Sequence, residues 1–380
     1  MKVLLVRNGA ANADECAVLA RRQVPLLQHL TALGVDPTVA LFGDPGNLSA
    51  VLLEGGIDAR VLQPALPPSG RAIPHLPRAI VQLDALLRDV RADLLEGDEP
   101  MPAIALGLAA GRVRRVPLVY RRHHHGGRPR LFAASRFAAR LADRTLVSCE
   151  AMRQHAAIAD RTPLDRIEIA ASGTIEPQLP SAEELRAQRA ALGLGDDARV
   201  ILCISQLRRQ KGVDVLVRAL AHLGHADDVH LVIAGSGPEE AELRTLAANV
   251  PRPVHFLGHR NDIDRLLALA DIVVMPSREE AFGRVTLETM AAGRPLIGTR
   301  VGGLAEAIVD GENGLLVGAD DPLALANALR RLLEEPALAA RLGAAARACY
   351  ETKYTIKQMA LAWRDAWQRV LGAHRGRVAA

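Results

Sequence analysis

The sequence is poor in aromatic residues. They make up 3% of the chain although hydrophobic residues make up 49%, which is typical of a folded protein with an aliphatic core. So few aromatic rings offer little for stacking on nucleic acid bases, and the chain also lacks helix-turn-helix, zinc-finger and RNA-binding signatures. We therefore expect no nucleic acid partner.

Cysteines are also few, and they form no CxxC pair. Their positions are Cys16, Cys149, Cys203 and Cys349. This wide spacing indicates neither a disulfide framework nor a thiolate zinc site, and it favours a reducing compartment such as the cytoplasm.

Long apolar runs are missing as well. No window of about 18 uncharged apolar residues occurs, so we expect no membrane-spanning helix, although attachment to a membrane surface stays open. The apolar run in the opening segment, MKVLLVRNGA, is too short for the core of a signal peptide. We expect a cytoplasmic protein, either soluble or peripheral at the inner face of the cytoplasmic membrane.

The charge is small overall but uneven along the chain. The formal net charge is +4, yet residues 112–144 hold ten arginines and one acid, Asp143. One interpretation is that this basic stretch, Arg112–Arg144, attracts anionic lipid headgroups or a phosphorylated partner. The other is that its arginines are solvated on helix faces, and the sequence leaves both open.

The length of 380 residues suggests two domains, and two series of short hydrophobic runs alternate with helical patterns. The first series predicts strands at Lys2–Val6, Pro37–Phe42, Ala59–Leu62, Ala92–Glu96, Pro117–Arg121 and Arg144–Ser148. The second predicts strands at Arg199–Ile204, His230–Ala234, Val254–Leu257, Asp271–Met275, Pro295–Gly298 and Gly314–Val317. Stretches such as Glu15–Leu33 and Arg78–Val90 have the spacing of helices that cover a parallel sheet. The predicted fold class is α/β with two Rossmann-like domains.

The domain boundaries follow from composition. A segment rich in Pro, Gly and Ser, ASGTIEPQLPSA, ends at Ala182 and places the boundary near residue 178, which gives domains at 1–178 and 179–355. An amphipathic pattern follows, with Met359, Ala362, Trp363, Trp367 and Val370 on one face. We expect residues 356–380 to form a helix that packs back toward the N-terminal domain.

The most informative segment is PSREEAFGRVTLETMAAGRPLIGTRVGG, which follows the strand predicted to end at Met275. Such a strand leads to the carboxyl edge of a parallel sheet, where open α/β folds bind ligands. The helix predicted to begin near Gly283 would point the amides of Phe282, Gly283 and Arg284 at a diphosphate.

Two carboxylates, Glu280 and Glu288, are separated by seven residues within this segment. Glu280 would face a sugar, and Glu288 would accept two hydrogen bonds from adjacent ribose hydroxyls. Taken singly, Glu280 could be a helix-capping acid and Glu288 a solvated helix residue. The flanking pattern favours the functional interpretation.

Three further segments precede this one in order: ISQLRRQKGVDVLVRAL, IAGSGPEEAEL and VHFLGHRNDIDRLLALADIVVMPS. Together the four segments resemble the C-terminal domain of the retaining glycosyltransferases of family 4, also called glycosyl transferases group 1, which have the GT-B fold. The resemblance implies two Rossmann-like domains that face each other across a deep cleft. It also implies a sugar nucleotide bound in that cleft, transfer with retention at the anomeric carbon, and neither a cofactor nor a metal.

The resemblance assigns catalytic roles to three residues. Lys211 would neutralise the diphosphate and stabilise it as a leaving group, while Glu280 would orient the sugar. His123 falls where the family places a histidine near the donor sugar, and His124 and His125 are the alternatives.

Two positions depart from the family pattern. An arginine usually stands five residues before the lysine, whereas this chain has the neutral Gln206, and we hypothesise that Arg208 or Arg209 compensates. The usual glycine pair near the first strand is replaced by NGAAN, which leaves Gly9. The predicted donor-binding residues are Gly9, Gln206, Arg208, Arg209, Lys211, Gly235, Gly258, His259, Arg260, Glu280, Ala281, Phe282, Gly283, Arg284, Val285 and Glu288.

Two patterns contain residue types that bind metals. The three consecutive histidines lie on an extended segment, where neighbouring side chains point to opposite faces and seldom chelate one ion. Asp262-Ile-Asp264 precedes a predicted helix at Arg265–Ala270, so helix capping explains it more simply.

The sequence therefore predicts a glycosyltransferase that moves a hexose from a UDP or GDP donor to the hydroxyl of a carbohydrate or lipid-linked acceptor. Synthesis of bacterial envelope polysaccharide, lipopolysaccharide or glycolipid is the expected setting. Same-face substitution is the preferred mechanism, because the resemblance marks no carboxylate as a nucleophile. The alternatives are a non-catalytic nucleotide- or carbohydrate-binding relative and a sugar-nucleotide epimerase or phosphorylase of related fold. A nicotinamide-dependent oxidoreductase fits least, because no GxGxxG follows the first strand.

Overall fold

A computed structural model describes residues 1–66, 74–111, 116–123, 129–195, 197–224 and 228–379 of the protein, without the side chains of residues 129, 130 and 377–379. The chain divides into two compact units. The first unit comprises Met1–Gly173 together with Ile356–Ala380, and the second comprises Thr174–Thr355.

Each unit is built on one parallel sheet. The first sheet has the order β3-β2-β1-β4-β5-β6-β7, and the second has the order β10-β9-β8-β11-β12-β13. The strands are β1 Lys2–Asn8, β2 Asp36–Phe42, β3 Asp58–Leu62, β4 Leu94–Asp98, β5 Leu118–Arg121, β6 Arg144–Val147, β7 Ile167–Ile169, β8 Arg199–Ile204, β9 Val229–Ala234, β10 Val254–Phe256, β11 Ile272–Met275, β12 Leu296–Thr299 and β13 Leu315–Val317. The strand order reverses between β1 and β4 and again between β8 and β11, and such reversals create the ligand crevices of open α/β sheets.

Helices alternate with the strands along the chain. They are α1 Ala13–Ala32, α2 Leu48–Glu54, α3 Leu76–Val90, α4 Pro100–Ala110, α5 Pro129–Leu141, α6 Glu150–Ala159, α7 Ala182–Ala191, α8 Val213–Leu220, α9 Glu240–Ala247, α10 Ile263–Leu269, α11 Arg284–Ala291, α12 Leu304–Ala307, α13 Pro322–Glu334, α14 Pro336–Cys349 and α15 Ile356–Ala379. Within the described ranges, no helix combines the length and the apolar character needed to cross a membrane.

The central strands are apolar on both faces because helices cover the sheets. All six residues of β9 are buried, for example, although alternate side chains point to opposite faces. Uniform burial of this kind is typical of parallel sheets covered on both sides. It also explains why unbroken hydrophobic runs, rather than alternating patterns, marked the strands in the sequence.

The structure confirms the α/β class and all twelve predicted strands, with ends that differ by two residues or fewer. The sequence missed β7, whose three residues are too few to form a recognisable run. This strand owes its place to pairing: it adds to the edge of the first sheet through contacts such as Leu146 with Glu168.

The first segment of the first unit ends at Gly173, whereas the sequence places the boundary near residue 178. The Thr174 N–H donates to the carbonyl oxygen of Tyr354 at 2.9 Å, and the Tyr350 hydroxyl donates to the carbonyl oxygen of Thr174 at 3.3 Å. Glu176 pairs with Arg347 at 2.5 Å. These contacts with the end of the second unit hold residues 174–176 there.

Helix α15 belongs to the first unit, where it packs against α1. Its buried face includes Met359, Trp363, Trp367 and Val370. Arg121, the last residue of β5, and Glu96, in the middle of β4, are buried and form an ion pair at 2.6 Å beneath this face. The Trp367 indole N–H donates to Glu96 Oε2 at 2.7 Å, and the Arg121 guanidinium lies 3.5 Å from the centre of the Trp363 ring. A desolvated ion pair thus acquires partners from a helix remote in sequence, which offsets part of its desolvation cost.

The two tryptophans allow the Trp367 hydrogen bond to be measured. We expect Trp367→Phe to lower the free energy of unfolding by about 1.5–3 kcal/mol more than Trp363→Phe, because it removes a donor from a buried carboxylate. Trp363 is the matched control: both rings are buried, and the Trp363 indole N–H has no hydrogen-bond partner in the described part of the chain. Urea unfolding of both variants checks this, and equal losses would contradict it.

Candidate functional site

Two loops of the second unit bring a lysine and a glutamate into contact. Strands β8 and β11 are neighbours at the point where the strand order reverses, so the loops after their carboxyl ends border the same crevice. Lys211 lies in the first loop and Glu280 in the second. The Lys211 Nζ and Glu280 Oε2 atoms are 2.6 Å apart.

The carboxylate of this pair is the more deeply buried partner. Glu280 is 7% exposed as a residue, whereas a quarter of the Lys211 side chain is exposed. The hydroxyl of the buried Ser277 lies 3.2 Å from the same Oε2 atom and donates to it. A cation and a hydroxyl therefore offset the cost of burying the charge. The sequence assigned Lys211 and Glu280 to different parts of a ligand, and the structure adds that they neutralise each other.

The backbones of the two loops are in direct contact. Lys211 ends a short 3-10 turn, Arg209–Lys211, and Gly212 follows with φ 63°. A Cβ at Gly212 would lie 2.0 Å from the Pro276 carbonyl oxygen, so only glycine fits. The carbonyl oxygen of Gln210 accepts from the N–H groups of Arg278 at 2.8 Å and Glu279 at 3.1 Å. Main-chain contacts thus contribute to the spacing between the lysine and the glutamate.

Helix α11 begins immediately after the glutamate loop. Gly283 is its N-cap with φ 79°, and a Cβ there would lie 2.8 Å from the Thr286 hydroxyl. The first amides of a helix have no acceptor within the helix, so this end can bind an anion. Arg284, the first helical residue, is exposed, and Glu288 in the next turn is half-buried.

The remaining predicted residues around Gly283 serve partly to hold the loop. Phe282 is 8% exposed, and its ring contacts that of Tyr354 edge-on with the centres 5.9 Å apart. Ala281 and Val285 are half-buried. The roles of these residues and of Glu288 toward a ligand stay predictions.

Two glycines that are not among the predicted site residues support the loop that carries Glu280. Gly302 and Gly303 follow β12, and a Cβ at Gly302 would lie 1.8 Å from the carbonyl oxygen of Glu280. The Gly303 N–H donates to the Ala281 carbonyl at 3.2 Å, and a Cβ at Gly303 would lie 2.5 Å from the Phe282 Cα. The sequence shows two adjacent glycines shortly after a predicted strand. Nothing near them in the sequence indicates which segment of the chain they contact.

The predicted glycines Gly235 and Gly258 are joined by a hydrogen bond. The Gly235 N–H donates to the Gly258 carbonyl at 2.7 Å. Gly235 has φ 144°, and a Cβ there would lie 1.8 Å from the carbonyl oxygen of Ser205. Packing against the loop after β8 is therefore enough to require glycine at position 235, without a ligand. Gly258 has φ 66° and open space around it, so its backbone conformation alone favours glycine.

Three polar residues that precede Lys211 are exposed: Gln206, Arg208 and Arg209. No ion pair or side-chain hydrogen bond engages Arg208 or Arg209 in the described ranges. Two unpaired cations therefore lie within three residues of Lys211. This arrangement suits the hypothesis that one of them replaces the arginine missing at position 206, which stays a prediction.

The loop after β10 exposes His259 and Arg260. Arg260 forms a bidentate pair with Asp262, at 2.8 and 2.6 Å, and its hydrogen bonds lower the pKa of that carboxyl group. Asp262 occupies the N-cap position of α10, but its side chain makes no capping hydrogen bond. Helix capping was therefore the wrong explanation for this carboxylate. Asp264 instead accepts the Gln178 N–H at 2.7 Å.

His123 of the first unit lies beside a carboxylate that the sequence analysis did not identify. Its Nε2 atom lies 2.6 Å from Asp98 Oδ1, and Arg7 Nη2 lies 3.5 Å from Asp98 Oδ2. Burial alone would raise the pKa of Asp98, but His123 and Arg7 hold it well below its usual range. Asp98 ends β4, and Arg7 lies near the end of the neighbouring strand β1. Their shared position at the carboxyl edge of the sheet is the sequence feature that could have predicted this contact.

Gly9 is explained by its own unit. A Cβ at Gly9 would lie 2.0 Å from the Gly43 carbonyl oxygen, and the Gly9 N–H donates to the Phe42 carbonyl at 3.2 Å. Contact with the loop after β2 therefore accounts for this glycine without a ligand. The alternatives to His123, His124 and His125, lie outside the described residues.

Five arginines of the basic stretch Arg112–Arg144 have described side chains, and they differ in exposure. Arg121 is paired with Glu96, and Arg122, 1% exposed, lies 2.7 Å from the buried Asp160. Arg136 and Arg144 are half-buried, and Arg140 is exposed. Neither interpretation of the basic stretch applies to Arg121 and Arg122, because both are buried beside carboxylates.

Two protein-family models match the chain. The model described as Glycosyl transferases group 1 matches residues 185–348, and the model described as Glycosyltransferase Family 4 matches residues 20–174. The first range includes Lys211, Glu280 and Glu288, and the second includes His123.

The chain is similar to several curated proteins. It is 41% identical over 198 residues to the D-inositol 3-phosphate glycosyltransferase of Xylanimonas cellulosilytica. The matched region covers 49% of this chain and 47% of that protein. It is also 38% identical over 187 residues to the GDP-mannose-dependent monoacylated alpha-(1-6)-phosphatidylinositol monomannoside mannosyltransferase of Corynebacterium glutamicum. This match covers 47% of this chain and 49% of that protein. The chain thus spans about half the length of the curated relatives it matches.

Among solved structures, the chain is similar to Anabaena HepE in complex with UDP and glucose. The TM-score is 0.77 at 23% identity, and the match covers 97% of this chain and 99% of HepE. Identity at this level shows the fold alone, and that fold agrees with the GT-B architecture predicted from the sequence.

Proposed function

We propose that this chain, which belongs to the glycosyltransferases with the GT-B fold, transfers a sugar from a nucleotide diphosphate to an acceptor hydroxyl. The observation that carries the proposal is the Lys211–Glu280 ion pair beside the first turn of α11. A cation, a carboxylate and a set of helix amides share one edge of one sheet. This combination suits a diphosphate joined to a hydroxylated sugar.

In the proposed reaction the bond between the anomeric carbon and the diphosphate oxygen breaks, and a bond to the acceptor oxygen forms on the same face. The acceptor proton passes to the departing diphosphate. Lys211 and the amides at the start of α11 stabilise the negative charge that develops there. Glu280 orients the sugar through its hydroxyls, so the chain mainly positions and neutralises.

The donor is proposed to be a UDP or GDP sugar, whose ribose hydroxyls bind Glu288. Support comes from the UDP and glucose held by HepE and from the GDP-mannose dependence of the Corynebacterium relative. No metal is required, because a lysine and a helix end already supply positive charge. The acceptor is proposed to be a carbohydrate or lipid-linked hydroxyl in envelope synthesis, since the two relatives act on an inositol phosphate and a phosphatidylinositol derivative.

We expect substitutions of Lys211 and of Glu280 to have different effects on nucleotide affinity. Lys211→Met removes a charge-assisted contact, so we expect the affinity for the matching nucleoside diphosphate to fall about 10- to 150-fold, equivalent to about 1.5–3 kcal/mol. Glu280→Gln removes the competing carboxylate and frees the lysine, so affinity is retained or increased while transfer falls. Calorimetric titration with UDP, GDP, ADP, CDP and dTDP provides the measurement.

Lys353→Met is the matched control, because Lys353 is an exposed lysine of the same unit outside the two loops. It should bind nucleotide as the wild type does. If neither UDP nor GDP bound the wild type, the donor proposal would be wrong. Equal weakening in the Lys211 and Glu280 variants would contradict their separate roles.

Mechanism and metal dependence are tested together on the product. We expect transfer to continue in excess EDTA, and proton NMR to show the anomeric configuration of the donor in the new glycoside. Inversion of that configuration, or a trapped covalent glycosyl-enzyme, would refute same-face substitution. Loss of transfer in EDTA that added Mg²⁺ restores would refute metal independence.

Attachment to an anionic membrane surface is proposed for the exposed part of the basic stretch, with Arg140 as its described representative. We expect the protein to float with vesicles of phosphatidylglycerol and phosphatidylcholine, but not with phosphatidylcholine alone. Arg140→Gln should weaken binding roughly fivefold, because one basic residue near such a surface contributes about 1 kcal/mol. Arg186→Gln, an exposed arginine of α7, is the control. Absence of flotation with the anionic vesicles would refute the proposal.

A further inference from the structure

One arginine of the glutamate loop reaches across to the lysine turn. Arg278 precedes Glu280 by two residues, and its side chain is 19% exposed. Its Nη1 atom donates to the carbonyl oxygen of Arg209 at 2.8 Å, and its backbone N–H donates to the carbonyl oxygen of Gln210, also at 2.8 Å. One residue therefore holds two consecutive carbonyl groups of the turn that ends at Lys211.

The same guanidinium group is anchored by two carboxylates. Nη1 and Nη2 form a bidentate pair with Asp214, at 2.7 and 2.9 Å, and Nε donates to Asp320 at 2.5 Å. Asp214 lies in the first turn of α8, directly after the lysine turn. Asp320 has φ 58°, which is uncommon for a residue other than glycine. The arginine thus joins the lysine turn, the start of α8 and the loop before α13.

The charges in this cluster are balanced and partly desolvated. Burial alone would raise the pKa of Asp214, but hydrogen bonds from Arg278 and Arg218 lower it, so the carboxylate is ionised at neutral pH. A planar guanidinium can serve both oxygens of Asp214 and the Arg209 carbonyl at once, and an ammonium group has no such geometry. The arrangement is therefore specific to arginine.

We infer that Arg278 is a positioning residue that fixes Lys211 against Glu280. The lysine turn has only three residues, and Arg278 adds a second side-chain link to the glutamate loop besides the Lys211–Glu280 pair itself. Without the guanidinium, the Gln210 hydrogen bonds would persist, but the Arg209 carbonyl and Asp214 would lose their shared donor. The consequence for sugar transfer rests on the proposed function, whereas the consequence for the ion pair does not.

Chemical reactivity of Lys211 tests the ion pair directly. The chain has four lysines, Lys2, Lys211, Lys353 and Lys357, so acylation by a succinimidyl acetate can be followed at each one by peptide mass spectrometry. In Arg278→Gln we expect Lys211 to be acylated severalfold faster relative to the other lysines, because its ammonium group is no longer held on the carboxylate. Arg278→Lys should behave in the same way, since lysine cannot form the fork.

Arg218→Gln provides the matched control. Arg218 is the other guanidinium on Asp214, at 2.5 Å, but it lies on α8, and within the described ranges it forms no ion pair or side-chain hydrogen bond with either loop. Its removal should leave Lys211 reactivity unchanged. If Arg278→Gln does not fold, Asp214→Asn removes the same anchor with little change in shape and should accelerate Lys211 acylation.

A double-mutant cycle separates positioning from general stabilisation. We expect Arg278→Gln to lower kcat by roughly ten- to a hundredfold, as small displacements of catalytic groups do, and to weaken nucleoside diphosphate binding. In a Lys211→Met background the further effect on nucleotide affinity should vanish, because the lysine through which Arg278 acts is gone.

The outcomes are distinct. Unchanged Lys211 reactivity in folded Arg278→Gln and Arg278→Lys would overturn the inference, even if both variants melted at lower temperature. Additive effects on nucleotide affinity in the cycle would also overturn it. If the wild type bound no nucleotide, the proposed function would fail, while the acylation rates would still decide the role of Arg278.

Discussion

The arrangement of the second unit depends on one ion pair, formed where two chain segments far apart in sequence leave adjacent strands. Lys211 follows β8 and Glu280 follows β11, and their charged atoms lie 2.6 Å apart. Because Glu280 is buried, its charge requires an oppositely charged partner at a fixed position. Several nearby residues hold Lys211 in that position. Gly212 lets the two backbones touch, the Gln210 carbonyl accepts two hydrogen bonds, and Arg278 ties the turn to its neighbours.

The first unit solves a similar problem at its own carboxyl edge. Asp98 and Glu96 come from one strand, and each acquires cations from neighbouring strands: Arg7 and His123 for Asp98, and Arg121 for Glu96. Helix α15 adds the Trp367 indole N–H to the second of these pairs. The fold itself therefore supplies fixed partners for the charged residues of this strand, which offsets part of the cost of burying them.

The glycines show that a sequence pattern can identify where glycine is required without identifying which contact requires it. The sequence predicts Gly9 and Gly235 as donor-binding residues, and each lies against a carbonyl oxygen of its own unit, that of Gly43 and that of Ser205. Gly302 and Gly303, which had no assigned role, support the backbone of the glutamate loop. A missing Cβ indicates crowding, but the sequence does not say whether the crowding comes from a ligand or from the chain.

The sequence by itself determined the α/β class, twelve strands, the loops that carry Lys211 and Glu280 and the helix that carries Glu288, because hydrophobic runs and strand-end motifs are local patterns. It did not determine the partners of those residues. Asp98 beside His123, Arg278 across the lysine turn and the burial of Arg121 and Arg122 were decided only by the tertiary structure. The physical reason is that ion pairs and buried hydrogen bonds depend on distances between segments that strand order brings together. Residues remote in the chain become neighbours only when β1 pairs with β4 and β8 pairs with β11.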